Sequence, residues 1–401
     1  MKPFLLGLSL VLGACSAQAQ LVPLWPLPVP DTSADNAFGE AVALGPDRAV
    51  VGAGGVHGCG PASGAVYVYE RRNEVWTLAA VLQPDDCAPG RHFGRAVALD
   101  GDRILAVAAG QPYRTEVADA AYVFERDASG RWHQTARLTP PDVTTGAFGA
   151  AVALDGPRAV VSTWGDPARQ RPGAAYVFVQ QPDGFWKLEA TLTDTLAPGG
   201  PWPGGAVALD GDVVALAAPS YRYDRSSAVL LFVRQPDGSW RRDTTLAGIR
   251  DFNPALALTG GELLVGERLG GRHSGGRVRH YRRLPDGRWT LVATLDPPQP
   301  YPNGGFGAAL AFDGRRALVS GFDEQLGLDF NVDQVVYVFV HTADRWCFWR
   351  RIDPGEKAFG AALSLHGDLA LIGVPREGAP GAAYLIPLNA ARCELKEPVG
   401  K

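Results

Sequence analysis

Acidic side chains at alternate positions late in the chain have a spacing that suggests metal chemistry. Asp329, Asn331 and Asp333 alternate like the ligands in the first half of a calcium loop, with Asp323 and Glu324 nearby. No glycine follows them to make the sharp turn that such a loop needs. We therefore favour a solvated polar loop, keep the three residues as a weak metal candidate and expect no cofactor.

Catalysis by a nucleophile or a metal ion has little support in the sequence. The seven histidines show no metal-ligand spacing, and no Gly-x-Ser-x-Gly motif is present. No pair of carboxylates stands out at the expected centre of the fold. We therefore expect a protein without catalytic activity. The alternative is a hydrolase or lyase that acts on polysaccharide with groups from several loops.

Aromatic and charged side chains concentrate in a few segments that we expect to be exposed loops. Mixtures of Trp, Tyr, Arg and Asp are typical of surfaces that recognise proteins or sugars. The candidate binding residues are Tyr113, Arg114, Trp164, Asp166, Arg169, Trp202, Tyr221, Arg222, Tyr223 and Asp224. Loop polarity without a function is the alternative explanation.

Composition and charge argue against several classes of protein. The 401-residue chain has a formal net charge of -4 and a pI near 6.0, and its basic residues are scattered, which disfavours nucleic-acid binding. Hydrophobic residues make up 46% of the chain, so a large core can form. After the N-terminal segment, no apolar run is long enough to predict a transmembrane span.

A positive charge followed by an apolar run makes residues 1–19 a predicted signal peptide. Cleavage after Ala17-Gln18-Ala19 would release a soluble protein. Leu12-Gly13-Ala14-Cys15 instead resembles a bacterial lipobox, and processing there would leave Cys15 acylated as a lipid anchor. The expected location is the periplasm, the outer membrane or the outside of the cell.

One unit recurs along the chain and organises everything else. Its clearest copy is FGRAVALDGDRILAVAAG, and successive copies begin 49 to 55 residues apart. The copies begin near Phe38, Phe93, Phe148, Pro203, Phe252, Phe306 and Phe359. Such a period indicates a repeated supersecondary unit, because a single unit cannot bury its own apolar face.

Each unit predicts four antiparallel strands. In the clearest copy, two apolar runs are joined by Asp100-Gly101, a pair that favours a tight hairpin. A run of alternating aromatic and aliphatic residues predicts a third strand, and a tryptophan such as Trp132 opens a fourth, where we expect it to serve packing. Seven units predict an all-β fold, a single seven-bladed β-propeller over residues 21–390, followed by a tail over 391–401. A β-solenoid and tandem sandwiches are the alternatives.

A propeller ring must close, because an open ring exposes strand edges. Leu21–Pro30 is the favoured outer strand of the last blade, since its prolines suit only an outermost edge strand. Arg392–Val399 lies at the right distance after the last third strand and is the competing candidate. We expect the protein to be a monomer.

The repeats resemble the FG-GAP repeats of integrin-type propellers, in the form found in bacterial exported proteins and lipoproteins. The resemblance rests on Phe93-Gly94, Val97–Asp102, Ala121–Phe124 and Trp132, and it covers about residues 36 to 390. Integrin-type repeats often hold calcium in the first hairpin. The hairpins of this chain are too short to wrap a cation, so no calcium site is carried over.

In such a propeller, the loops before each first strand and those between the second and third strands emerge on one face, which we call the loop face. Cys59 and Cys87 lie in loops of this kind, so we expect a disulfide between them. Cys347 and Cys393 begin outer strands or their equivalents in adjacent blades and are candidates for a second disulfide. Their Cα atoms would have to lie within about 7 Å of each other.

The copies differ most from one another on the loop face. Pro203-Gly204 and Phe252-Asn253 replace the Phe-Gly pair in the fourth and fifth units. We therefore expect a noncatalytic binding or scaffold protein whose loop face recognises a protein or a surface glycan.

Overall fold

The computed structural model describes residues 23–109, 119–141, 148–165, 173–193, 204–220, 226–271, 274–322, 334–342 and 345–389. The elements formed by these residues are β-strands, and no helix within these ranges is long and apolar enough to cross a membrane. The strands form seven antiparallel sheets of four strands each. The predicted seven-bladed β-propeller is therefore confirmed.

The strands follow one another in chain order from the centre of each blade to its rim. In the first four blades they are β2 (Ala41–Leu44), β3 (Arg48–Ala53), β4 (Ala65–Arg72) and β5 (Val75–Leu82); β6 (Val97–Asp100), β7 (Arg103–Ala108), β8 (Ala120–Arg126) and β9 (Trp132–Leu138); β10 (Phe148–Asp155), β11 (Arg158–Thr163), β12 (Ala174–Gln180) and β13 (Trp186–Leu192); β14 (Val207–Asp210), β15 (Val213–Ala218), β16 (Ser227–Arg234) and β17 (Trp240–Ile249). In the last three they are β18 (Leu256–Thr259), β19 (Glu262–Glu267), β20 (Arg277–Arg283) and β21 (Trp289–Leu295); β22 (Leu310–Phe312), β23 (Arg316–Phe322), β24 (Gln334–His341) and β25 (Trp346–Ile352); β26 (Ala362–His366), β27 (Leu369–Val374), β28 (Ala382–Pro387) and, from the N-terminal end, β1 (Trp25–Pro26).

The ring is closed by the N-terminal segment. In blade seven the strand order is β26, β27, β28, β1, with Trp25 opposite Leu385. The next residue, Leu27, donates its N–H to Ala383 O at 2.9 Å and is buried in the core between blades seven and one. The predicted closure by the N-terminal segment Leu21–Pro30 is therefore confirmed through its described residues, and Arg392–Val399 lies outside the described residues.

The Phe-Gly pair fixes each inner strand against the preceding blade. Phe93 is fully buried, and its ring lies 5.8 Å from that of Tyr122. Gly94 has φ of +99°, and a Cβ there would lie 2.5 Å from Ala65 O in blade one. Because only glycine tolerates both the left-handed backbone and the close approach, the pair recurs as a unit.

Seven hydrophobic cores lie between neighbouring blades and hold the ring together. The tryptophan near the start of an outer strand is partly buried against one of these cores. This holds for Trp76, Trp132, Trp186, Trp240, Trp289 and Trp346. The positions agree with the packing role expected from their recurrence.

The Asp-Gly hairpins, on the face opposite the loops, join neighbouring blades. An aspartate carboxylate in one hairpin accepts the N–H of a glycine in the next blade's hairpin. The three pairs are Asp100 with Gly156 at 2.9 Å, Asp155 with Gly211 at 2.5 Å and Asp210 with Gly261 at 3.2 Å. The aspartates therefore serve the contact between blades, which explains the motif without a cation.

One disulfide lies on the loop face. Cys59 and Cys87 are bonded, with Cα atoms 6.3 Å apart, as predicted. The bond ties the loop between β3 and β4 to the segment that leads into blade two. Cys347 is also disulfide-bonded, and its expected partner Cys393 lies outside the described residues.

Candidate functional site

The loop-face mouth is the set of seven residues that follow the Phe-Gly positions and lead into the inner strands. It consists of Glu40, Arg95, Ala150, Gly205, Pro254, Ala308 and Ala361. The inner strands of successive blades contact one another around the ring, so these residues surround the loop-face end of the axis. Five of them are small residues or proline. The two charged ones are adjacent, in blades one and two.

An aromatic side chain covers one side of this mouth. Trp164, which follows β11, is half-buried. A Cβ on Gly205 would lie 3.0 Å from the Trp164 indole, so the ring rests against glycine backbone. Gly204 and Gly205 both have positive φ, at +119° and +101°. The absence of side chains at the two glycines therefore allows the indole of blade three to lie against the start of blade four.

Blade five borders the indole with polar groups. Asn253 Oδ1 accepts the N–H of Ala206 at 3.1 Å, and the Asn253 N–H donates to Asp251. Asp251 is buried and pairs with the Arg268 guanidinium at 2.9 Å. Beside them Phe252 is exposed, unlike the described phenylalanines of the Phe-Gly pairs.

The charged side of the mouth is a cluster of Glu40, His92 and Arg95 around Gly54. The Gly54 N–H donates a short hydrogen bond to Glu40 Oε1. His92 is hydrogen-bonded to the Gly54 backbone, and it adopts a left-handed φ of 46°. A Cβ on Gly54 would lie 2.3 Å from Glu40 Oε1, so the carboxyl group is packed closely against the Gly54 backbone. Backbone contacts with Gly54 therefore hold Glu40 and His92 in place.

Burial changes the protonation of two of these groups. It raises the pKa of Glu40 to about 7, while the Gly54 N–H and the Arg95 charge act in the opposite direction. Burial, with a smaller contribution from Arg95, lowers the pKa of His92. Near neutral pH the carboxyl group therefore exchanges a proton readily, and the imidazole is neutral.

Most of the binding residues predicted from the sequence lie outside the described residues. Of the ten, the structure places Trp164, in the mouth. The others are Tyr113, Arg114, Asp166, Arg169, Trp202, Tyr221, Arg222, Tyr223 and Asp224. Asp329, Asn331 and Asp333 also lie outside, and the described ranges contain no group of three or more side chains able to hold a metal ion.

Sequence reasoning did not single out Glu40 or Arg95. The signal that would have found them is the alignment of the repeats themselves. The residue after Phe-Gly is small in Ala150, Ala308 and Ala361 but charged in the first two units. Packing does not explain a charged residue at a position where other copies have a small residue.

A groove of about 900 Å³ also opens on the loop face, across blades six, seven and one. Two of its charged side chains are paired: Arg376 donates to Glu356 Oε2 at 2.6 Å, and the Tyr384 hydroxyl donates to Glu356 Oε1 at 2.8 Å. It is bordered by Phe322 and Gln334, which flank residues 323–333 outside the described ranges. We therefore place the candidate site at the mouth and not in this groove.

A pair of histidines lies between blades five and six and serves the fold. Trp346 donates its indole N–H to His280 Nδ1 at 3.1 Å, and His341 stacks on the same indole. Burial lowers the pKa of His280 to about 4, so the ring is neutral at physiological pH. Its buried nitrogen and neutral state favour a packing role over chemistry.

These features define a class of protein, a seven-bladed β-propeller that is closed by its N-terminal strand and presents a loop-face mouth. Within that class, the FG-GAP repeat family matches residues 27–69, 76–124 and 132–178. The first three blades therefore carry FG-GAP repeats, as the sequence resemblance predicted, and the other four blades have the same four-stranded build.

The periplasmic gluconolactonase of Pseudomonas aeruginosa is similar with a TM-score of 0.48 and 16% identity, over 78% of this chain and 85% of that chain. No curated protein matches the chain in sequence.

Proposed function

We propose that the protein is an exported, noncatalytic binding protein that recognises a surface glycan at the loop-face mouth. The observation that carries the proposal is Trp164, a half-exposed indole resting on Gly205 at the end of an inner strand. Aromatic faces bordered by a few convergent polar groups are typical of ligand sites. Asn253 supplies such a group beside the indole.

The rigidity of the scaffold supports recognition without large movement. The mouth is formed by backbone that leads into inner strands, and the Cys59–Cys87 disulfide ties the loops of blades one and two. A site held in this way loses little conformational entropy when a ligand binds, which favours affinity.

The proposal is tested by affinity electrophoresis in gels that contain surface polysaccharides, with the wild type and Trp164→Ala. Phe185→Ala is the matched control, because Phe185 is an exposed aromatic residue in a hairpin of blade three. We expect the wild type and the control to be retarded equally and Trp164→Ala to migrate freely. Equal retardation of all three proteins would contradict binding at the mouth.

A second candidate is a hydrolase or lyase that acts on polysaccharide, favoured by one observation. The pKa of Glu40, at about 7, lies in the range that suits a general acid or base. Release of reducing ends or of unsaturated products, lost in Glu40→Gln, would support this candidate. No product release by the wild type at high protein concentration would favour the binding role.

The disulfide supports an exported location. A disulfide on the loop face is typical of proteins that fold outside the cytoplasm. We propose release into the periplasm or beyond, or anchoring at the outer membrane through Cys15. The intact mass of the mature protein distinguishes a chain that begins at Gln20 from an acylated Cys15.

A further inference from the structure

We propose that the loop-face mouth binds an acidic glycan, with Arg95 holding a carboxylate of a uronate residue while Trp164 contacts a sugar face. The inference rests on the proposed glycan-binding function and adds the chemical class of the ligand. The observation behind it is the presence of charged residues at the mouth in blades one and two, because binding of a neutral glycan does not require charges there.

Arg95 places a positive charge at the mouth. The side chain is exposed, and it makes no ion pair with any residue in the described ranges. On the opposite, hairpin face, by contrast, Arg48 has a carboxylate partner in Asp102 at 3.0 Å. An exposed guanidinium at a binding mouth is suited to a ligand carboxylate, because its planar donors match both carboxylate oxygens.

The nearest carboxyl group does not neutralise Arg95. Glu40 is held by the N–H of Gly54, which fixes it toward the end of β3. Near neutral pH a substantial fraction of this carboxyl group is protonated. The protonated form carries no charge to compete with a ligand, and its O–H is a donor for ligand oxygen.

The two sides of the mouth are connected through blade three. Arg95 precedes β6, Ala150 belongs to β10, and Gly205 precedes β14. These three inner strands are neighbours around the ring. Because Ala150 is the only mouth residue between Arg95 and Gly205, no large side chain at this position separates the guanidinium from the indole.

The arrangement makes binding of an acidic ligand depend on pH. As pH rises through about 7, Glu40 ionises, and its charge then repels the ligand carboxylate and competes for Arg95. Among the described residues, the charge that acts on Glu40 is that of Arg95, from the segment before β6, and the end of β3 contributes the Gly54 amide. His92, from the same segment as Arg95, interacts with the Gly54 backbone. His92 has a lowered pKa and becomes charged only under more acidic conditions.

The test is isothermal titration calorimetry with two matched probes, a tetramer of galacturonic acid and the same tetramer fully methyl-esterified. The ester keeps the sugar faces and removes the carboxylates. We expect the wild type to bind the acid at least about tenfold more tightly than the ester, which is the contribution of a charged hydrogen bond. Arg95→Gln should reduce the acid affinity to that of the ester.

The pH arm uses Glu40→Gln, which keeps the acceptor for Gly54 and removes the titration. Wild-type affinity for the acid should fall several-fold between about pH 5.5 and about pH 8.5, and the variant should lose this fall. His92→Gln should retain it above about pH 6.5, the ordinary pKa of histidine.

Three outcomes separate the claims. Equal affinity for acid and ester, unchanged by Arg95→Gln, overturns the inference but leaves the glycan-binding function if Trp164→Ala still abolishes binding. Failure of Trp164→Ala to change the binding of either probe overturns the proposed function at this mouth. A wild type that binds neither probe but is retarded in neutral polysaccharide gels also overturns the inference and retains the function.

Discussion

Replacing Glu40 with glutamine should make the folded protein more stable at alkaline pH and leave it nearly unchanged in mild acid. The substitution removes the ionisable group but keeps an oxygen that accepts the N–H of Gly54. Any difference that depends on pH therefore reports the cost of ionising this carboxyl group inside the fold.

The magnitude follows from the pKa of Glu40, which burial raises from its ordinary 4.5 to about 7. Below about pH 4.5 the group is protonated in both states and contributes nothing. Between the two pKa values the unfolded chain releases the proton and the folded chain keeps it, so stability falls as pH rises. The full cost is reached above about pH 7, with an upper limit of about 3 kcal/mol. Because the residue is partly exposed, screening by solvent reduces the expected value to about 1–2 kcal/mol.

The assay is urea denaturation of the wild type, Glu40→Gln and Glu377→Gln at about pH 5 and about pH 8.5. Glu377 is an exposed carboxylate on the same face and serves as the control. The stability gain of Glu40→Gln over the wild type should grow by about 1–2 kcal/mol from the lower to the higher pH, and that of Glu377→Gln should not. An equal gain for Glu40→Gln at both pH values would refute the reasoning about burial.

Three further tests concern the scaffold. Gly94→Ala should destabilise by about 3 kcal/mol or more, because its Cβ meets Ala65 O, whereas Gly101→Ala has open space and should cost about 1 kcal/mol; thermal melting compares them, and equal losses would contradict the close approach of blades one and two. Asp155→Ala should cost about 1 kcal/mol in urea denaturation by removing the bond to the next hairpin, and no loss would show that this bond is dispensable. Joint replacement of Cys59 and Cys87 by serine should cost about 3–4 kcal/mol, since the bond closes a loop with a sequence separation of 28; a denaturation midpoint equal to that of the wild type would show that the closed loop adds no stability.

The repeats predicted the architecture because each repeat contains residues that determine its own strands and turns. Phe93-Gly94 marks the start of an inner strand, and Asp100-Gly101 marks the first hairpin. The prolines of the N-terminal segment indicated an edge strand, and β1 takes that place in blade seven. Local signals of this kind need no knowledge of which blades meet.

Contacts between blades could not be predicted from the same signals. The carboxylate of Asp100 bonds Gly156, 56 positions along the chain, because the rotation from blade to blade brings the two hairpins together. Phe252 is a position where the motif misleads, because its residue type agrees with the motif but its side chain is exposed. Its neighbour Asn253 lies outside the left-handed region that glycine occupies in the other units, so the pair no longer packs alike.

The candidate site was predicted in part. The departure from Phe-Gly in the fourth and fifth units pointed to the region where Trp164 meets Gly205 and Asn253. The role of Glu40 depends on its burial beside Gly54, which a sequence does not show. The available indication was a charged residue in two of the seven copies, at a position where the other copies have a small residue or proline.

Hydrogen–deuterium exchange of the wild type, with and without bound acidic polysaccharide, tests most directly the claim that the loop-face mouth binds ligand. We expect protection in the peptides that contain Glu40, Arg95 and Gly205, and none in the hairpin that contains Asp210-Gly211 on the opposite face. Protection confined to the hairpin face or to the outer strands would contradict the proposed site.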